Sequence, residues 1–389
     1  MALYWLMLRL VPTRVRRFLG EALGPGSHDR FGRIVSRLST KEQRLWFAVP
    51  SSCYGKRQYP SNLGITLTTR CNLRCFFCRP EWFPSGDLEF ENIFKLEKAI
   101  KHAKVIQLSS GGEPLLYPKF EDVLGYIYSM NPREDLVHIV TNGTRLSRHV
   151  ASLVRGHLGS LVISLNAATE ETYNRDMKYG NFSETVSAVR AFMSELDECD
   201  GRKVVLSFVA HAGNFREMPG FVSLACDLGM SSVGVLPYHV VRAEDSRLSL
   251  LNVREEYNAT VDRALDAGAK LGVKFSAGKF AYAEEFDFRA CLKPFNECWI
   301  MGNGDVLVCC FSDGFSMGNA YRSTFEEVWF GEAYRRLRSG RWLPACHRCL
   351  AYRSFDDYAN HIHPMISGST ESEPIRRHYD TLQGDAGKR

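Results

Sequence analysis

The sequence lacks the marks of several protein classes. Its N-terminal apolar run, Met1 to Leu8, falls far short of the ~20 residues that a membrane-spanning helix needs. Arg9, Arg14, Arg16 and Arg17 follow that run, whereas a secretion signal puts its charge first. No internal repeat of fixed period occurs, and no basic motif interleaved with aromatics accompanies the charge, as a nucleic-acid binder would show. These absences predict a globular, cytoplasmic protein with no transmembrane segment and no nucleic-acid partner. Charge is not scarce but uneven. The chain has a net charge of +5, and residues 1–50 carry nine Lys/Arg against three acids. The plainer reading is a basic helical extension on a slightly acidic body. The alternative is a patch for an anionic carrier, a membrane surface or a phosphate-bearing substrate.

Cysteine is what the chain has in plenty, 12 in 389 residues. A secreted disulfide scaffold is normally much shorter, so clustered cysteines in a reducing compartment point to metal or redox chemistry.

Residues 1–60 read as amphipathic helices broken at Gly24-Pro25-Gly26. An alternation then begins. Short β-branched apolar runs stand at Gly64–Thr68, Val105–Ser109, Val137–Thr141, Leu161–Leu165, Val204–Val209 and Ser232–Leu236. Helical stretches separate them, among them Phe90–Ala103, Phe120–Met130, Phe182–Leu196 and Met218–Leu228. Six β-then-α units predict parallel strands with right-handed crossovers in an α/β fold, an open partial (β/α)6 barrel. Sites in such folds lie at the C-terminal ends of the strands. The boundaries expected are an N-terminal extension (1–60), a barrel (61–280), a cysteine-dense domain (281–352) with one helix around Ser323–Arg338, and a polar tail (353–389).

Cys71, Cys75 and Cys78 directly follow the first strand, spaced C-x3-C-x2-C. Thiolates at these spacings can converge from one loop on a single soft metal centre. Three ligands on a four-iron cube leave one iron open for a small-molecule chelate. The competing reading is zinc, which would need a fourth ligand close by.

With Phe77 between the last two cysteines, this segment resembles the radical S-adenosylmethionine (SAM) superfamily. The resemblance implies a 4Fe–4S cluster whose open iron is chelated by SAM. It also implies reductive cleavage of SAM to a 5′-deoxyadenosyl radical that takes a hydrogen atom from substrate, and a reducing donor such as flavodoxin or ferredoxin. Phe77 would meet the adenine through its backbone. Gly111-Gly112-Glu113 follows the second strand and would bind the methionine amino group. Thr141-Asn142 closes the third strand, and Ser164 and Asn166 the fourth, placed to meet the SAM ribose or carboxylate. The family more often has aspartate where Asn166 stands. For each of these residues a helix cap or turn is the alternative.

Cys291, Cys309, Cys346 and Cys349, at distances of 18, 37 and 3 residues, can fully ligate one further cluster. With Gly318-Asn319, Trp329 and Leu337-Arg338 they resemble the SPASM C-terminal module. No cysteine follows Cys349, so the shortened "twitch" form with one auxiliary 4Fe–4S cluster is expected. Structural zinc is the alternative. The remaining cysteines default to small buried hydrophobes. Cys298 and Cys310 are the candidates for a hydrogen-donating thiol.

Three functions compete. The first is hydrogen abstraction from a carbinol carbon of a sugar or aminocyclitol, giving a ketone if the auxiliary cluster accepts an electron, or an epimer if a thiol returns hydrogen. The second is peptide maturation, disfavoured because residues 1–60 lack a winged-helix pattern. The third is a non-catalytic iron–sulfur electron carrier, disfavoured because a carrier needs no SAM pocket.

Overall fold

The computed structural model describes residues 59–78, 80, 84–109, 111–238, 243–280, 293–309, 315–338 and 343. The expected N-terminal extension, save its last two residues, and the expected C-terminal tail lie outside the described residues. So do Cys291, Cys310, Cys346 and Cys349.

The six expected strands are present as β1 (Asn62–Ile65), β2 (Val105–Leu108), β3 (Val137–Thr141), β4 (Leu158–Ser164), β5 (Val204–Ala210) and β6 (Ser232–Pro237). They lie side by side in that order and pair in parallel throughout. Further strands extend the run at both sides; of these only the one through Cys298, Trp299 and Ile300 is expected from the sequence. Lys274–Ser276 (β7) extends the parallel run beyond β6. Glu297–Ile300 (β8) pairs in parallel with β1 on the other side, so the cysteine-dense region begins as a strand of the same sheet. Asp305–Leu307 (β9) and Ser316–Asn319 (β10) then add antiparallel strands at that edge. The result is one ten-stranded, mostly parallel sheet, ordered β10-β9-β8-β1-β2-β3-β4-β5-β6-β7.

Connecting helices include α1 (Glu97–His102), α2 (Phe120–Met130), α3 (Arg148–Val154), α4 (Glu170–Asp176), α5 (Phe182–Met193), α6 (Met218–Asp227) and α7 (Arg254–Leu271). Asn181 and Thr169 cap two of them with side-chain oxygens, which satisfies N–H groups that helix starts leave orphaned. The helix expected around Ser323–Arg338 is two, Phe325–Trp329 and Glu332–Arg338, with a capping box at Thr324 and Glu327 starting the first.

Strand side chains alternate between faces, so register sorts them. One face carries Ile65, Leu108, Ile139, Leu161, Ile163 and Leu206, all fully buried and continuous with the helices' apolar residues. The other carries Gln107, His138, Ser160, Ser164 and Ser207 in register, with Val140 and Leu236 left 38% and 60% exposed. At β1 this second face is closed by Trp299, whose ring lies where a Cβ on Gly64 would sit, 2.3 Å away.

Candidate active site

The site begins where β1 ends. The chain runs from Thr66 through Thr68 into a loop bearing the three cysteines. Cys71 Sγ accepts from the Leu73 N–H at 3.4 Å and lies 3.7 Å from Asn142 Nδ2 at the end of β3. Arg74 and Cys75 form a two-residue antiparallel ribbon with Met177 and Lys178, just after α4. The Cys78 N–H returns to the Cys75 carbonyl at 3.1 Å, so the last two thiols sit on one tight turn.

Their electrostatics state what is needed to hold them ionised. Burial pushes the Cys75 thiol up to about 12, helped by the charges of Cys78 and Cys71. Burial also raises Cys71. Cys71 and Cys75 thus resist ionisation until a cationic centre arrives, and iron is such a centre. The donor set therefore fits a thiolate-bound cluster.

Beside the loop lies the Gly-Gly-Glu turn. Gly111 adopts a left-handed φ of +78°. A Cβ on Gly112 would sit 2.5 Å from the Thr68 carbonyl oxygen and 2.6 Å from that of Arg70, so only glycine lets the two backbones meet. Glu113 is 2% exposed and tied on all sides. Oε1 accepts from the Thr141 hydroxyl at 2.7 Å and the Leu115 N–H at 3.1 Å, and Oε2 accepts from the Asn142 N–H at 2.7 Å. Burial raises this carboxyl, while these donors pull it back. A carboxylate has about four acceptor sites, so three donors leave room for one more.

Sequence reading grouped Glu113, Thr141 and Asn142 as neighbours of SAM, and the fold brings them together as a bonded set. It adds Asn72 and Thr144. The Asn142 amide donates to Asn72 Oδ1 at 3.0 Å and accepts from the Thr144 hydroxyl at 2.7 Å. Asn72 donates to Thr144 Oγ1 at 2.9 Å. A polar residue inside the triad and another after Asn142 were the only signals that could have found them.

Asn166 follows β4 with φ +61°, a conformation asparagine tolerates. Its Oδ1 accepts from the Val209 N–H at 2.9 Å and its amide donates to the Ser164 carbonyl at 3.2 Å, which staples β4 to β5. Ser164 stands on the open face beside Ser207. Phe77 meets Phe76 edge-on, and Phe76 also meets His211 and Tyr238. His211, buried at the end of β5, hydrogen-bonds Asp176 at 3.0 Å. Its Nδ1 accepts from the Gly213 N–H, so Nε2 carries the proton toward Asp176. Burial alone would raise Asp176, but the bonds from His211 and Arg175 hold its carboxyl below the ordinary range. Neither residue was singled out from sequence; a histidine directly after a strand was the available signal.

Cys298 pairs with Leu63 in register, so it faces the helix-covered side of the sheet, away from the open face. It is fully buried and its thiol is pushed well up by burial. That placement makes it a packed core residue. Cys309 is also buried, just beyond β9. Among the described residues no group of His, Cys, Asp and Glu side chains is arranged for a single metal ion.

A thiol-bearing loop at the C-terminal edge of a parallel sheet defines a cluster-binding α/β protein. Residues 65–209 match the radical SAM superfamily, and residues 291–350 match the SPASM iron–sulfur cluster-binding domain. The chain therefore carries a radical SAM domain followed by a SPASM region, and these two domains imply SAM and 4Fe–4S clusters as cofactors. Among curated proteins it is 29% identical over 176 residues to GTP 3′,8-cyclase of Petrotoga mobilis, covering 42% of this chain and 52% of that one. It is 36% identical over 127 residues to GTP 3′,8-cyclase of Rhodopirellula baltica, covering 31% and 34%. The chain thus spans about half the length, or less, of these relatives. Among solved structures, SuiB of Streptococcus suis bound to precursor peptide SuiA aligns at TM-score 0.56 with 16% identity, over 74% of this chain and 69% of that one. The enzyme anSMEcpe with bound AdoMet aligns at 0.56 with 16% identity, over 75% and 87%. These likenesses show the fold. No helix among the described residues is long and apolar enough to cross a membrane.

Proposed function

We propose that this radical SAM enzyme removes a hydrogen atom from a carbinol carbon of a polyhydroxylated small molecule, a sugar or aminocyclitol. Reductive cleavage of SAM is the chemistry that the triad's cluster supplies when bound. Cys71, Cys75 and Cys78 would hold that cluster, and Cys291, Cys309, Cys346 and Cys349 an auxiliary one. Gly111 and Gly112 would offer backbone to the SAM amino group, with Glu113 fixing the turn. Phe77 would back the adenine, and Ser164 would face the ribose. Thr141, Asn142 and Asn166 would act by holding these backbones in register.

One observation supports the substrate class: the open face is lined by polar side chains, with Gln107 bonded to Asn62, His138 to Ser160, and Ser164 in register with a buried Ser207, a lining whose remaining donors and acceptors suit hydroxyls. The curated relatives support it too, since their name puts their reaction at the 3′ position of GTP, a sugar carbon. On a sugar or aminocyclitol, loss of hydrogen from a carbinol carbon ends in a ketone or an inverted centre. Among the described spare thiols, Cys298 faces away from the open face, and Cys199 and Cys226 lie in the helical connections, which supports the oxidative outcome. Cys310, outside the described residues, is the thiol whose replacement discriminates.

The test is anaerobic turnover in deuterated water with SAM and a panel of sugars, aminocyclitols and GTP. A product two hydrogens lighter, without deuterium, is expected. A deuterated product of unchanged oxidation state, lost in Cys310→Ala, identifies epimerisation. Turnover of peptides alone overturns the substrate class, and absence of 5′-deoxyadenosine with every substrate overturns catalysis.

A further inference from the structure

Three side chains beside the cysteine loop close a ring of hydrogen bonds that runs in one direction only. Asn142 Nδ2 donates to Asn72 Oδ1 at 3.0 Å, Asn72 Nδ2 donates to Thr144 Oγ1 at 2.9 Å, and the Thr144 hydroxyl donates to Asn142 Oδ1 at 2.7 Å. The backbone sets the direction. The Thr144 N–H, which can only donate, meets Asn142 Oδ1 at 3.0 Å, so that atom is the oxygen and the other amide atom the nitrogen. The remaining roles follow, because a hydroxyl has one proton to give and an amide nitrogen two. Asn142 gives one amide hydrogen to Asn72. The other is left for the second contact of the same nitrogen, Cys71 Sγ at 3.7 Å. The main chain pins the residue as well: the Asn142 N–H donates to Glu113 Oε2 at 2.7 Å, and Asn142 is 8% exposed.

A turn at the end of β3 would need only the bond from the Thr144 N–H to Asn142 Oδ1. Asn72 and the Thr144 hydroxyl add nothing to that turn. What they add is an amide nitrogen fixed against the sulfur of a cluster ligand. A donor on a ligand sulfur stabilises a reduced cluster more than an oxidised one, because the added electron increases the negative charge on the sulfurs. A donor held by a fully satisfied network does so without first reorienting. We propose that the Asn72–Asn142–Thr144 ring sets the reduction potential of the triad's cluster, with Asn142 donating to Cys71 and with Asn72 and Thr144 as positioning residues. The inference rests on the reading that Cys71, Cys75 and Cys78 hold a 4Fe–4S cluster, and it is independent of the substrate.

The test is a redox titration of the anaerobically reconstituted full chain, followed by electron paramagnetic resonance. The reduced-cluster signal that changes on adding SAM belongs to the triad's cluster, and the auxiliary cluster serves as an internal reference. Asn142→Leu keeps the volume and the backbone N–H but removes the amide. It is expected to shift the one-electron equilibrium of the SAM-sensitive cluster about tenfold toward the oxidised form, a potential lower by about 59 mV. Thr144→Val keeps the shape, opens the ring and leaves Asn142 in place, so a shift of about threefold in the same direction is expected. The reference cluster should not move in either variant, and iron per chain should match wild type. An unchanged potential in Asn142→Leu overturns the proposal. So does an equal shift of both clusters, or loss of the SAM-sensitive cluster from both variants, which would assign the ring to cluster assembly. A wild-type chain with no SAM-sensitive signal overturns the cluster reading itself, and the proposal with it.

Discussion

The two faces of the parallel sheet are made from the same strands and obey opposite rules. On the helix-covered face Ile65, Leu108, Ile139, Ile163 and Leu206 are fully buried, and every one is aliphatic. One residue along each strand the side chains turn polar or stay exposed: Gln107, Val140, Ser164, Ser207 and Leu236. The first face stabilises the fold through area removed from water. The second forgoes much of that gain, which suits the place proposed for cofactor and substrate.

The largest effect should come from the open side. Replacing Cys71, Cys75 and Cys78 with alanine should abolish 5′-deoxyadenosine formation in a reductive assay and lower iron from about eight to about four per chain after reconstitution. The circular-dichroism spectrum should hardly change, because the loop contributes little to the core. On the covered face, Leu206→Ala should cost about 3 kcal/mol in denaturant titration, the usual price of a large-to-small change in a packed core. The same truncation on the open face, Leu236→Ala, should shift stability by less than about 0.5 kcal/mol yet alter substrate KM. Equal destabilisation at both positions would erase the distinction between the faces.

Smaller effects sharpen it. Gly112→Ala should raise the SAM concentration at half-maximal cleavage about tenfold, because the new methyl has only backbone carbonyls to meet. Asp200, beside the N-terminal ends of β4 and β5, is buried and accepts from the Gly156 N–H at 2.8 Å and Lys203 Nζ at 3.0 Å. Burial alone would raise its carboxyl, yet these partners hold it below the ordinary range. A lowered folded-state pKa gives stability that is present above the unfolded value and lost as pH falls through the folded one. Asp200→Asn should therefore cost about 1.5 kcal/mol at pH 7, and the gap from wild type should begin to narrow below about pH 4 and go on narrowing as pH falls further. Thermal denaturation across that range reads it, and a gap that does not narrow at all on acidification would assign the effect to packing.

Much of this is legible in the sequence. Long apolar runs between turn signals identify parallel strands, because strands buried deeply carry their hydrophobicity in the run itself. The triad and the Gly-Gly-Glu turn were legible because their spacing is local. Lys274–Ser276 was missed, being three residues of mixed polarity on the sheet edge. The junction was missed as well. Nothing in Glu297–Ile300 announces that it will pair with Asn62–Ile65, some 235 residues earlier, since pairing partners are not encoded within a strand.

By itself, then, the sequence determined the chemistry: three thiols on one loop, a glycine turn with no room for side chains, and a strand rhythm that puts both at one end of a sheet. Only the tertiary structure decided which side chains join the core and which stand on the open face. It turned Cys298 toward the helices and Ser164 toward the open face, and it tied Glu113 to Thr141, Leu115 and Asn142. The physical reason is register. A side chain's face depends on the parity of its position against distant strands, and that parity is fixed only when the sheet assembles.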